Sequence, residues 1–315
     1  MRVAVILGGR SPEREVSLHT GENIIAALRQ KGHEALPLDL TDDLPLQLRA
    51  INPDAVYIAL HGRYGEDGCI QGLLEILDLP YVGSGVLASA LGMDKLMSRR
   101  LFELAGIPCP RYRALEAEEV TERGEEAVAR ELVEGFGLPL VVKPNNQGST
   151  IGVAIIREAT ALPSALREVL TFGSPAVVEE YIPGKEITIS ILGNRPPRAL
   201  PIIEVVPKNA YYDYEAKYTP GMSEHLIPAR ISPEAAAAAQ EYAVRAYTAL
   251  GCRHFARVDL LVDERTGCPV VLEVNTLPGM TSTSLVPDAA RAVGIEFPDL
   301  VEKLVLMAIG REAEV

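Results

Sequence analysis

The stretch from Phe255 to Ser284, FARVDLLVDERTGCPVVLEVNTLPGMTSTS, constrains this chain more than any other. Two apolar runs, VDLLV and PVVLEV, flank the turn-forming DERTGC, a pattern that predicts an antiparallel hairpin of buried strands. Side chains alternate with period two along a strand, so Arg257 and Asp259 share one face of the first strand. Glu273 and Asn275 likewise share one face of the second. A favourable register brings Asp259, Glu273 and Asn275 together. Three oxygen donors with no His or Cys beside them suit a hard cation, Mg²⁺ before Ca²⁺, completed by phosphate oxygens. Arg257 adds a fixed positive charge for an anion held there. The ordinary alternative is a solvated Asp259 and a Glu273 paired with a lysine. The Asn-Thr-x-Pro-Gly turn that follows, rich in small polar groups, favours the metal.

The 315 residues allow about two or three domains. At 48% hydrophobic and 23% charged, the composition is that of a soluble globular protein. No apolar run approaches the roughly 18 residues of a membrane span, and MRVAVILGG reads as a first strand rather than a signal peptide. A net charge of −13 argues against nucleic-acid or anionic-membrane partners. Cys69, Cys109, Cys252 and Cys268 form no CxxC pair, which implies inert thiols in a reducing cytoplasm.

Up to about residue 92 the pattern is βαβαβαβ, a small doubly wound parallel-sheet domain. GGRSPEREVS turns the first strand into a helix, with Ser11 expected at the N-cap, Pro12 at N1 and Glu13 in the first turn. No GxGxxG is present, yet the free N–H groups of such a turn suit a small anion. Glu13 is either functional or simple compensation of the helix dipole. A strand over 54–60 ends in HGRYGEDG, placing His61 and Glu66 on a Gly-punctuated loop at the same sheet edge. Further on, LPLVVKPNNQGSTIGVAIIR reads as two strands around a polar loop. Lys143, Gly148, Ser149 and Thr150 have the composition of a flap over phosphates, or of an ordinary hairpin turn. Glu179 and Glu180, near the next strand's end, could receive an adenine amino group and ribose hydroxyls, or form an exposed acidic pair. AYYDYEAKYTPG carries four tyrosines, typical of a loop that folds over a ligand, with Lys217 and Tyr218 as its polar tips.

Taken in order, GGRSPEREVS, ALHGRYGEDG, PYVGSGVLASALGMDK, VVKPNNQGSTIGV, YYDYEAKY, ARVDLLV and LEVNTLPGMTSTSLVP resemble the D-alanine–D-alanine ligase family of the ATP-grasp superfamily. The resemblance covers essentially the whole chain and implies an α/β fold of three units. These are a Rossmann-like domain over 1–94, a central ATP-grasp subdomain over 95–182, and a C-terminal ATP-grasp domain over 183–315. It implies ATP and two Mg²⁺ ions (Mn²⁺ also possible), two D-alanine substrates, a cytoplasmic homodimer and a role in peptidoglycan precursor synthesis. Glu273 would bridge the two ions, with Asp259 and Asn275 each completing one. Lys95 and Lys143 would hold ATP phosphates beneath Gly148, Lys217 the transferred phosphoryl group, and Glu186 the ribose. Glu179 and the backbone from Glu180 to Ile182 would receive the adenine. Glu13 would anchor the first D-alanine's ammonium, tied to Ser149 and Tyr218, with His61 near its reacting end. Arg257 and the Gly279 backbone would stabilise the oxyanion, and Ser284 would hold the second carboxylate. A D-alanine–D-lactate ligase is the near alternative, against which Tyr218 in its KYT context argues. Another ATP-grasp ligase and a non-catalytic nucleotide-binding module are the remoter ones.

Overall fold

The first strand, RVAVIL, is buried along nearly its whole length, as a strand covered on both faces must be. In the computed structural model, which describes residues 1–148, 150–208, 222–281 and 284–311, it is central to a four-stranded parallel sheet. The strands are β1 (Arg2–Leu7), β2 (Glu34–Asp39), β3 (Ala55–Ile58) and β4 (Tyr81–Val82), in the order β2-β1-β3-β4. Order reversal beside β1 opens a crevice at the carboxyl edge, where doubly wound sheets bind ligands. The helix α1 (Arg14–Gln30) buries Ser17, Thr20, Gly21, Ile24 and Leu28, the i, i+3, i+4 stripe of a helix laid on a sheet.

Helix α1 begins later than its sequence predicts. Glu13, not Ser11, occupies the cap position. The Ser11 hydroxyl donates to the His61 carbonyl at 2.8 Å and accepts from the Glu13 N–H at 3.2 Å. Its donor is committed to the neighbouring loop, and the chain makes one more turn before the helix. Two further helices lead out of the parallel sheet, α2 being Leu44–Ile51 and α3 Cys69–Ile76 before the pair α4 (Val86–Met93) and α5 (Lys95–Leu104). Asp94 separates that pair in an extended conformation and caps α5 by accepting from the Met97 N–H at 2.9 Å.

A second sheet is antiparallel, with β5 (Tyr112–Leu115), β6 (Leu140–Pro144), β7 (Ala154–Ile156) and β8 (Ala176–Glu180) in the order β5-β8-β6-β7. The third contains β9 (Gly184–Leu192), β10 (Arg198–Ala199), β11 (Ile203–Pro207), β12 (Ser223–Leu226), β13 (Phe255–Asp263) and β14 (Pro269–Asn275). Its path is β12-β11-β9-β13-β14, with β10 on β9. The short Tyr181–Pro183 link therefore carries the chain from one antiparallel sheet to the other. Against the third sheet lies the helix Pro233–Ala249, capped by Ser232. Its buried Ala235, Ala239, Ala243 and Ala246 present a small-residue face that lets helix and sheet approach closely. The amphipathic helix Phe297–Ala308 packs against α1, β3 and β4 through Leu300, Val301, Leu304 and Val305, in a core that also takes in Leu192, Ile203 and Phe255 of the third sheet. Among the described residues no helix is long and apolar enough to cross a membrane.

Candidate active site

Strands β13 and β14 pair in the register that makes the acidic pattern useful. Arg257 lies opposite Asn275 and Asp259 opposite Glu273, and the pairing then shifts, so that Leu260 meets Val271. Leu272 is the extra residue of a bulge, a device that re-aims side chains at a site. Asp259 is held from several sides. Arg257 grips both its carboxylate oxygens at 2.8 Å, Asn275 Nδ2 donates to Oδ2 at 2.9 Å, and the buried Thr188 hydroxyl donates to Oδ1 at 2.6 Å. Glu273 remains partly open, with Oε2 3.8 Å from Lys95 Nζ. Side-chain oxygens from Asp259, Glu273 and Asn275, converging beside two lysines, fit a hard divalent cation bound together with phosphate.

Asp259, Glu273 and the two lysines line a cavity of about 370 Å³ between the two antiparallel sheets, a volume within the range of small-molecule sites. Val141, Ile155, Leu261 and Leu272 supply apolar walls, and Lys95, Lys143, Gly148, Glu186 and Ile182 also line it. Lys95 Nζ donates to the Gln147 carbonyl at 2.6 Å, fixing the flap loop to α5. A smaller adjoining recess shares Lys95, Gln147, Gly148 and Glu273 and adds Glu66 and Asn275. It connects the cavity to the carboxyl edge of the parallel sheet.

At that edge Glu13 and His61 are both buried. His61 Nε2 is 3.3 Å from the Thr20 hydroxyl, and Nδ1 is 3.8 Å from Glu66 Oε1. Gly62 sits between the two carboxylates: its N–H donates to Glu66 Oε2 at 3.0 Å, and a Cβ there would lie 2.7 Å from Glu13 Oε2. Across the cleft, Gly92 near the end of α4 leaves 2.8 Å between a would-be Cβ and Thr276 Cγ2. Only glycine lets that helix close on the strand end bearing Asn275. Gly279 and Ser284 are also neighbours, since a Gly279 Cβ would be 3.4 Å from Ser284 Oγ. The Ser284 hydroxyl accepts from the Thr281 N–H at 3.1 Å at the start of the helix Leu285–Arg291. Ser149, Lys217 and Tyr218 lie outside the described residues.

Two expected contacts are occupied by protein groups. Both Glu179 oxygens are engaged, Oε1 by Arg99 at 2.7 Å and Oε2 by Lys143 at 2.8 Å. Burial alone would raise the Glu179 carboxyl, but Arg99 and then Lys143 hold it below the usual carboxylate range. The Glu180 carboxylate is taken by Arg111, through Nε and the backbone N–H at 2.9 Å each. Neither glutamate is an exposed surface charge, and both line the cavity. Sequence reasoning missed Arg99 and Thr188. Arg99 follows Lys95 by four residues on one helix face, a signal that could have found it. Thr188 is set opposite Asp259 by the pairing of β9 with β13, two segments some seventy residues apart, and no local pattern reveals that register.

A parallel-sheet unit followed by two antiparallel sheets that enclose a lysine-rich, acid-floored cleft defines an ATP-grasp enzyme. The family model described as D-ala D-ala ligase C-terminus matches residues 101–306, and that described as D-ala D-ala ligase N-terminus matches residues 45–84. A D-alanine–D-alanine ligase of Carboxydothermus hydrogenoformans is 51% identical over 313 residues, covering 99% of this chain and 100% of that one. One from Pelotomaculum thermopropionicum is 50% identical over 309 residues, covering 98% and 97%. The crystal structure of the Bacillus anthracis D-alanine–D-alanine ligase complexed with ATP superposes with a TM-score of 0.82 at 36% identity, covering 99% of this chain and 98% of that one. The chain belongs to the D-alanine–D-alanine ligase family.

Proposed function

We propose that this protein joins two D-alanine molecules into D-alanyl-D-alanine at the expense of ATP, supplying a peptidoglycan precursor in the cytoplasm as a homodimer. The observation that carries the reading is the Asp259–Glu273–Asn275 register at the foot of a cavity that also holds Lys95 and Lys143. The partition into 1–94, 95–182 and 183–315 is part of the same reading, supported by the way the three sheets divide the chain.

In this reading the apolar walls take the adenine, met by Glu179 and the backbone from Glu180 to Ile182, and Glu186 takes the ribose. Lys95 and Lys143 neutralise phosphate oxygens beneath the loop around Gly148 and Ser149. Asp259, Glu273 and Asn275 hold two Mg²⁺ ions, with Mn²⁺ an acceptable substitute; such ions neutralise charge on the transferring phosphoryl group. Glu13 receives the ammonium of the first D-alanine and is linked to Ser149 and Tyr218, while His61 stands near the substrate's carboxylate. That carboxylate attacks the γ-phosphoryl of ATP, giving an acyl phosphate and ADP, with Lys217 on the transferred group. The second D-alanine, its carboxylate at Ser284, attacks the acyl carbonyl with its amine. Arg257 and the Gly279 N–H meet the oxyanion, and phosphate leaves. Water must be excluded, because acyl phosphates hydrolyse.

The test is phosphate release from ATP and Mg²⁺ with D-alanine, with L-alanine, or with D-alanine plus D-lactate, followed by mass analysis. Dipeptide from D-alanine alone is expected. A depsipeptide as the main product, or silence with all three, overturns the substrate reading. Glu273→Gln is expected to abolish turnover and leave the fold intact, and near-normal turnover in that variant would remove the metal assignment.

A further inference from the structure

Arg99 is fully buried one turn beyond Lys95, and of its three guanidinium nitrogens only Nη2 has a hydrogen-bond partner among the described residues, Glu179 Oε1 at 2.7 Å. Its Nε and Nη1 are buried without one, and beside them the guanidinium has only the weak acceptor of the Cys109 thiol. A buried cation satisfied at one nitrogen of three is a poor stabilising device, since the desolvation of the unused donors is not repaid. A Glu179–Lys143 pair would be self-compensating without it. Its presence therefore needs a reason outside stability.

Charge balance in the cavity supplies that reason. Among the described residues, Glu179 is the one carboxylate within ion-pair distance of Lys143, at 2.8 Å. Were it alone with Lys143, the two would cancel and the lysine would be drawn back onto its partner. Arg99 engages the other carboxylate oxygen from the side away from solvent. The three groups then carry a net positive charge on the cavity wall, which Lys143 presents beside Lys95. We propose that Arg99 is a positioning residue that shares the Glu179 carboxylate so that Lys143 keeps a positive charge available to the phosphates of the nucleotide. Arg99 itself touches no ligand. It acts through Glu179, and it should matter to a ligand in proportion to that ligand's negative charge.

The inference rests on the nucleotide reading of this cavity, and the experiment separates the two. ATP affinity, by titration calorimetry, and adenosine affinity, by saturation-transfer NMR, are measured for the wild type, Arg99→Met, Arg99→Gln and Arg99→Lys. Thermal unfolding identifies the folded variants, and either neutral variant suffices. The expected result is a loss of ATP affinity of roughly ten- to a hundredfold in the neutral variants, the scale of one unit charge at short range in a protein interior. Adenosine carries no phosphate for Lys143 to meet, so any change in its affinity arises at the Glu179–adenine contact and is shared by ATP, and the ATP loss should exceed it by about tenfold or more. Arg99→Lys, which keeps the charge, should restore most of the difference. Equal loss for ATP and adenosine would mean a merely structural role and overturn the inference, as would unchanged affinity for both. Failure of the wild type to bind ATP would instead overturn the nucleotide reading itself.

Discussion

Gly62→Ala is the most informative single perturbation of the substrate end of the cleft. Gly62 has φ +67°, where a side chain costs about 1 kcal/mol or somewhat more. The new Cβ would stand 2.7 Å from Glu13 Oε2, and the next contacts, Ser11 Cβ and Oγ, are at 3.4 and 3.5 Å. The Gly62 backbone is tethered through its N–H to Glu66, so the Glu13 carboxylate must yield. Pushing a buried side chain off its rotamer adds about another 1 kcal/mol, for a total near 2 kcal/mol. Gly32→Ala is the control, since φ is +80° there and a Cβ meets nothing within 4 Å. It carries the backbone cost without the collision. If Glu13 holds the first D-alanine's ammonium, its displacement should raise KM for that substrate roughly ten- to a hundredfold, the worth of a charge-assisted hydrogen bond. ATP affinity should stay within about twofold in both variants, since neither position lines the nucleotide cavity. The assays are steady-state ADP release against D-alanine concentration, ATP titration and thermal unfolding. A Gly62→Ala enzyme with wild-type KM for D-alanine, or one no different from Gly32→Ala, would refute the placing of Glu13 at the substrate.

Thr188→Val removes the donor 2.6 Å from Asp259 Oδ1 while keeping side-chain shape. If Asp259 holds Mg²⁺ as proposed, apparent Mg²⁺ affinity should weaken about tenfold, as loss of a partner behind a metal ligand does, and an unchanged Mg²⁺ dependence of turnover would count against that. His254 is held neutral, burial and then Arg253 depressing it from the ordinary 6.5 to about 4. Between those values the unfolded chain takes up a proton that the folded chain refuses, so this contribution is intact above about pH 6.5 and is lost as pH falls toward 4. Wild-type protein should lose on the order of 3 kcal/mol through this group. In His254→Asn the acid-side fall in denaturation midpoint should be shallower by a comparable amount, and identical slopes would refute it.

The parts of the site that lie on one strand or one hairpin were legible in the sequence. The placing of Arg257 and Asp259 opposite Asn275 and Glu273 needed only period-two alternation and a turn of the right length. The parallel-sheet alternation was legible because each helix and strand kept its own hydrophobic period. What escaped depended on long-range register or on competition for a hydrogen bond. Thr188 reaches Asp259 only because β9 lies beside β13. Ser11 looks like a helix cap until the His61 carbonyl claims its hydroxyl. Glu179 and Glu180 look like a matched acidic pair, yet strand alternation sends them to different cations, Arg99 with Lys143 and Arg111. The terminal helix reads as amphipathic, but nothing in it says that its apolar face packs against α1, β3 and β4 in the first ninety residues.

The central claim is that ATP activates the first D-alanine as an acyl phosphate in this cleft. The most direct test uses D-alanine labelled with ¹⁸O in both carboxylate oxygens, together with ATP, Mg²⁺ and the wild-type enzyme, and reads the mass of the inorganic phosphate released. Attack by the carboxylate on the γ-phosphoryl, then departure of phosphate when the amine adds, carries one labelled oxygen into each phosphate formed with dipeptide. The account predicts that singly labelled phosphate, in step with dipeptide. Unlabelled phosphate accompanying full dipeptide formation would contradict it.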